Sequence, residues 1–205
     1  MIDLEYAARH LRGVSRLAAG DEDWREDMEL STDGVFKSLW AIAFSAPLAV
    51  LGVITEHRIS VASPNFQETL FAKAPLIAIA PITIFASLTV WLISIAALAF
   101  IAQRMGAARN VAGLIVSYNW SQFLVFAVSA APAAVFALTR NADVTVILYL
   151  TVFFFSIFLF WVVLRQNLPI DVGATVALIV AFTLISFGAY ELIANAAISL
   201  FQLFS

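Results

Sequence analysis

The chain has 205 residues, 62% hydrophobic and only 12% charged, with a net charge of −3 and a mean hydropathy of +0.95. That is far from the soluble norm of about half apolar and a quarter charged, so a water-solvated core is excluded and a membrane protein is indicated. Cysteine is absent, which removes disulfides, thiolate metal sites and thiol catalysis.

Ile2 to Ala19 carries Leu4, Ala7, Ala8, Leu11, Val14 and Ala18 at spacings of three and four, while Arg9, Arg12 and Arg16 share the other side. This spacing predicts an amphipathic helix. It lies either on an anionic membrane surface, held by its apolar face and arginines, or on the end of the helix bundle. Gly20 ends it, and Asp21 to Glu29 forms an acidic run interrupted by Trp24 and Arg25. Such a run reads as a solvated linker, with Trp24 a candidate interfacial anchor. Residues 1–33 are therefore read as a cytoplasmic amphipathic helix and acidic linker, and 34–205 as a transmembrane domain. The polar start has neither the apolar run nor the cleavage site of a signal peptide, so the first span is expected to remain in the mature protein.

Ser31, Thr32 and Asp33 offer oxygens to cap a helix starting near Gly34. Five apolar stretches follow, each long enough to cross about 30 Å of hydrocarbon: Val35–Ile54 with Pro47, Pro75–Ala102, Val111–Leu138 with Pro132, Val144–Leu164, and Val172–Phe204. The predicted fold is an all-α polytopic bundle of five transmembrane helices. Thr55–Lys73 reads as a polar loop holding His57 and Arg58. The fifth stretch would be about 50 Å long at 1.5 Å per residue, so a break is expected between Gly188 and Asn195.

Counting Lys and Arg near the span ends, Arg9, Arg12, Arg16, Arg25, Lys37, Arg104, Arg109 and Arg165 fall on the amino-terminal side, against Arg58, Lys73 and Arg140. The positive-inside bias puts the amino terminus in the cytoplasm. An odd number of spans puts the carboxyl terminus across the membrane, in a bacterial inner membrane the periplasm. Small residues on spans one, three and five predict that these form the close-packed centre. Span four, crowded with Phe153, Phe154, Phe155, Phe158, Phe160 and Trp161, is expected at the edge, facing lipid or another subunit rather than stacking a quinone or pigment.

Polar groups inside the spans are the candidate sites, because burying them in hydrocarbon is costly. Tyr118, Asn119 and Gln122 cluster in span three with Trp120. Glu191 is read as the one acidic residue within an apolar segment, with Asn195 one turn on, within hydrogen-bond reach. These five form the candidate intramembrane site, and Arg9, Arg12, Arg16 and Trp24 the candidate membrane-surface contact. His10 and His57 lie outside the spans and read as exposed and inert. Neither a metal set nor a catalytic set is visible, so no cofactor is expected. The expected partners are the lipid bilayer and other membrane subunits or a second copy, with no role for nucleic acid.

The runs Val116-Ser117-Tyr118-Asn119-Trp120 and Ser31-Thr32-Asp33-Gly34-Val35-Phe36-Lys37-Ser38, with the five-span layout, resemble the Yip-type five-pass membrane proteins, in particular bacterial members without an agreed activity. The resemblance implies a non-enzymatic role in membrane organisation. Taken together, the sequence predicts an accessory or assembly protein, with a small oligomeric transporter using Asn119, Gln122 and Glu191 as the alternative.

Overall fold

The computed structural model describes residues 4–62 and 69–204. Among these, the chain runs α1 (Leu4–Ala18), a 3-10 turn (Glu22–Asp27), α2 (Thr32–Ser38), α3 (Trp40–Ala62), α4 (Leu70–Lys73), α5 (Leu76–Arg104), a second 3-10 turn (Ala108–Asn110), α6 (Val111–Thr139), α7 (Ala142–Asn167) and α8 (Val172–Phe204). Five segments are long and apolar enough to span a bilayer: Thr32–Ala62, Leu76–Arg104, Ala108–Thr139, Ala142–Asn167 and Val172–Ser199. In hydrocarbon the backbone must bond to itself, and long helices meet that demand within one segment. Three of the five start at a side-chain cap: the Ser31 hydroxyl accepts from the Gly34 N–H at 3.0 Å, Asn141 from Val144 at 3.1 Å, and Asp171 from Ala174 at 2.7 Å.

Two boundaries differ from the sequence expectation. Helix α3 continues through residues 55–62, assigned above to the polar loop; the remainder of that loop at 63–68 lies outside the described residues. Helix α8 runs unbroken through Gly188–Asn195, because each of its residues keeps an intrahelical partner at no cost, whereas a break would expose backbone groups near hydrocarbon.

The packing order also differs. Helix α6 is the centre: it packs most extensively on α7 and α3, and also meets α5, α2 and α1. Helix α8 instead lies against α5 and α7, so span five is peripheral. Helix α7 packs one face, Val152, Leu159, Val163 and Leu164, into the bundle and leaves the other, Ile147, Leu150, Phe154 and Phe158, exposed at the edge. Gly113 of α6 sits so close to α7 that an added Cβ would come within 2.7 Å of the Asn167 side-chain oxygen, the close approach that small residues permit.

The amino-terminal segment is not spread on a surface. Its apolar face, Ala7, His10, Gly13, Val14 and Leu17, is buried against the 3-10 turn, α6 and α7, so the bundle-docked alternative describes it. The acidic run folds rather than forming an open linker. Trp24 is 0% exposed inside the core cluster that includes Val14, Leu17, Leu164 and Leu168, which corrects its reading as an interfacial anchor. Arg16 turns inward onto the acidic run, 2.7 Å from Asp21 and 3.0 Å from Asp27. Arg9 and Arg12 stay exposed. Arg25 bridges to the end of α7 by donating to the Gln166 carbonyl at 2.9 Å, and its guanidinium sits 4.6 Å over the Trp24 ring.

This arrangement separates the arginines. Arg16→Gln is expected to speed trypsin cleavage within α1, since Asp21 loses its counter-ion, Asp27 keeps only Arg12 at 3.7 Å, and the cap loosens. Arg9→Gln with Arg12→Gln should have the smaller effect in the same assay, because both side chains are exposed and the Arg12–Asp27 pair is the longer one, at 3.7 Å. Equal effects from both changes would contradict the docked geometry.

Candidate functional site

Helix α6 carries the polar cluster, and its 3.6-residue period divides it between two faces. Asn119 points into the packed centre. It is 0% exposed, its Oδ1 accepts from the Trp91 indole N–H at 2.9 Å, and its Nδ2 donates to the Ser38 hydroxyl at 2.8 Å. One amide thus ties α6 to α5 and α2. A second junction lies towards the α1 end: Asn167 Nδ2 donates to the Val163 carbonyl at 2.9 Å and lies 3.3 Å from the Ser117 hydroxyl. Asn110 Nδ2 donates to the Asn167 carbonyl at 2.8 Å.

Tyr118 and Gln122, four apart, face the other way. They line a cavity of about 270 Å³ with Ser94 of α5, Phe153, Ser156 and Phe160 of α7, and Phe182, Thr183, Ser186 and Phe187 of α8. Ser94, which shares this lining with Tyr118, donates its hydroxyl to the Val90 carbonyl at 2.8 Å. A cleft of about 180 Å³ between α5 and α8 shares Ser94, Phe182 and Ser186 and is otherwise walled by Val90, Ile93, Ala97, Ile101, Leu178, Ala181, Ile185 and Ala189. None of the residues lining either space is ionisable in the physiological range.

Glu191 belongs to neither face. It is exposed, and the expected i+4 bond is present, Asn195 Nδ2 donating to its Oε2 at 3.1 Å. Because α3 extends past Ile54, Glu56 is a second carboxyl within a span, near enough to Glu191 for the two to interact. Glu191 is therefore not the only acid in an apolar segment. The five candidate residues thus occupy three separate places rather than one site.

His10, read as exposed and inert, is 0% exposed. Its Nδ1 lies 2.8 Å from the Tyr6 carbonyl and its Nε2 3.1 Å from the Glu29 backbone N–H. A neutral ring that donates from Nδ1 and accepts at Nε2 satisfies both. The ring also lies against Tyr6 and Trp120, at centroid distances of 4.0 and 5.2 Å, so it fastens α1, the linker and α6 together. The signal was in the sequence: His10 falls three residues after Ala7 and four before Val14, on the apolar face. Sequence reasoning also missed Asn110, Asn167, Thr183 and Ser186, which only the three-dimensional arrangement joins to anything.

Burial pushes the His10 pKa below its ordinary 6.5, with nearby Arg9 acting in the same direction and the Tyr6 carbonyl, Glu29 and Asp27 opposing. Glu29 is held below the usual carboxylate range by its hydrogen bond from Lys37, 2.8 Å away, and burial, followed by the Glu29 charge, raises the Tyr6 phenol to about 12. Neutral His10 is therefore the docked form. With the docked state binding fewer protons than the undocked one, docking is at full strength above pH 6.5 and weakens as pH falls from there through the lower docked value. Trypsin access to Arg9 and Arg12 should rise as pH falls below about 6.5 in the native protein. His10→Gln should flatten that rise; an identical pH profile in both proteins would show that another group is responsible.

No known protein family, curated protein or solved structure matches the chain.

Proposed function

We propose that this integral membrane protein is non-enzymatic and works in assembly, as an accessory subunit of a larger complex or as a membrane-organising factor. The observation that carries the reading is the Asn119 junction. The most costly amide in the centre of the bundle is spent on holding α2, α5 and α6 together, which suits a rigid scaffold better than a carrier that must alternate between two packings. The docked cap, with Arg9, Arg12, Glu22, Asp23 and Glu26 exposed, offers a folded charged surface outside the membrane, and the exposed aromatic face of α7 offers an apolar one within it.

The eight-to-three division of basic residues supports a cytoplasmic cap and, in a bacterial inner membrane, a periplasmic end of α8. The likeness to Yip-type five-pass proteins agrees with a role in membrane organisation. The transporter alternative retains only Gln122 of its three residues at a cavity.

Purification from native expression levels in a mild detergent, after in-cell cross-linking, tests the assembly reading. A stoichiometric complex with another membrane protein, or a defined homo-oligomer, supports it. A monodisperse monomer with no cross-linked species overturns it.

A further inference from the structure

The Gln122 side chain is eleven residues into α6, about 17 Å along the helix from its start and so close to the middle of the hydrocarbon. Its amide makes no hydrogen bond among the described residues, and neither do the Thr183 and Ser186 hydroxyls across the same cavity. Ser121 and the Trp120 indole on the same helix are also unpaired among the described residues, but neither lines this cavity. Ser94, Ser117, Ser129 and Thr145 each return a hydrogen bond to a carbonyl one turn back, and Asn119 is bonded at both ends. A primary amide transferred to an apolar medium without a partner costs about 2 to 7 kcal/mol. Gln122 is half-buried, so a partner for its amide can be supplied from the space that it lines.

We propose that the space between α5, α6, α7 and α8 is a binding site for a neutral lipophilic molecule with one apolar chain and a hydrogen-bonding head. The absence of an ionisable lining residue selects a neutral ligand, since a charged head would have no counter-ion there. The head fits the larger chamber, where Gln122, Thr183 and Ser186 meet it between the rings of Phe153, Phe160, Phe182 and Phe187. The chain fits the adjoining apolar cleft, whose walls are α5 and α8 alone. Ala181 leaves the room there that a larger side chain would close. A polar recess opening into an apolar slot is the shape of an amphiphile rather than of a hydrated ion or a purely aliphatic lipid tail. Two natural sources share this chemistry, a carbonyl-bearing ring with an apolar chain and a neutral acylglycerol.

The full-length protein in nanodiscs of phosphatidylcholine would be titrated in separate arms with a decyl-substituted benzoquinone and with monoolein, following the melting temperature. A saturable rise with either probe supports the site and identifies its source. Gln122→Leu should weaken that probe at least tenfold, as loss of one buried hydrogen bond implies. Its ligand-free melting temperature should be unchanged or higher, since it removes an unpaired amide. Ala181→Phe, which blocks the slot but leaves the head contacts, should weaken the same probe independently. Neither probe saturating overturns the proposal. So does binding insensitive to both substitutions, which would place the probe elsewhere. A ligand-free Gln122→Leu protein destabilised as much as an Asn119→Leu one would also overturn it, by showing that the amide is structural.

Discussion

Asn119→Leu is expected to lower stability by about 2 to 4 kcal/mol. Two interhelical hydrogen bonds disappear, and such bonds are worth about 0.6 kcal/mol each on average and up to about 1.7 in a membrane bundle. The Ser38 hydroxyl keeps its bond to the Val35 carbonyl at 2.7 Å, so it is not stranded. The Trp91 indole N–H is: that residue is 6% exposed and Asn119 is its partner, and an orphaned buried donor adds about 1 to 3 kcal/mol. Leucine also replaces a side chain of similar volume, so a cavity term is small. For a chain of this length the change should appear as a fall in melting temperature of roughly 5 to 15 °C in detergent. The double change Trp91→Phe with Asn119→Leu removes the orphan and should recover part of the loss, so that the two single effects sum to more than the pair. Strict additivity would mean that the 2.9 Å contact contributes nothing of its own.

This junction also marks where sequence reading stopped. Length and hydropathy suffice for the five spans, because the bilayer imposes a thickness that composition alone reports. The start of α2 was equally legible, since Ser31 caps it as its hydroxyl predicts. Helix rotation was not legible. In a soluble helix an apolar stripe reveals the buried face, whereas here both lipid and protein interior are apolar, and the stripe vanishes. Small residues pointed to α8 as central, yet Gly173, Ala177 and Ala181 are all exposed, because small residues on a lipid-facing surface look the same in sequence as those at a crossing. Tyr118, Asn119 and Gln122 were recognisable as a polar group, but the division between a bonded face and a cavity face depends on which neighbour each meets. The i, i+4 relation of Tyr118 and Gln122 was the available clue.

The cap presents the opposite case, a segment whose charges concealed its core. An acidic run predicts solvent, and Glu22, Asp23 and Glu26 are indeed exposed, but Trp24 and Asp27 within it are buried. Folding the run is favourable because Arg16 receives Asp21 and Asp27 from one side while the indole fills the space beneath α1. Asp21 is held below the usual carboxylate range first by the hydrogen bond from Arg16 and then by the Asp23 N–H, so the turn keeps its charge pairing as the solution is mildly acidified. The acid sensitivity of docking therefore resides in His10 rather than in this pair.

Trp24→Ala should consequently be the most damaging single change in the cap. Truncating a fully buried tryptophan costs about 3 to 5 kcal/mol through lost transfer energy and the cavity left behind. The cost falls on docking of residues 4–38 rather than on the spans, whose helices bond to themselves. Local opening governed by that free energy should increase by about two to three decades, read as faster trypsin cleavage at Arg9, Arg12 and Arg16 with little change in the helical content of the membrane domain. Trp24→Phe separates the two roles that this residue could play. The indole N–H has no hydrogen-bond partner among the described residues, so phenylalanine gives up only part of the buried volume and should retain most of the protection. An anchor in the headgroup region would behave differently, because there the N–H is the useful end of the ring. In that case phenylalanine would fail as badly as alanine in vesicles, while both variants would resist trypsin equally in detergent. Protection that follows side-chain volume in detergent as well as in vesicles is what a protein-packed Trp24 requires.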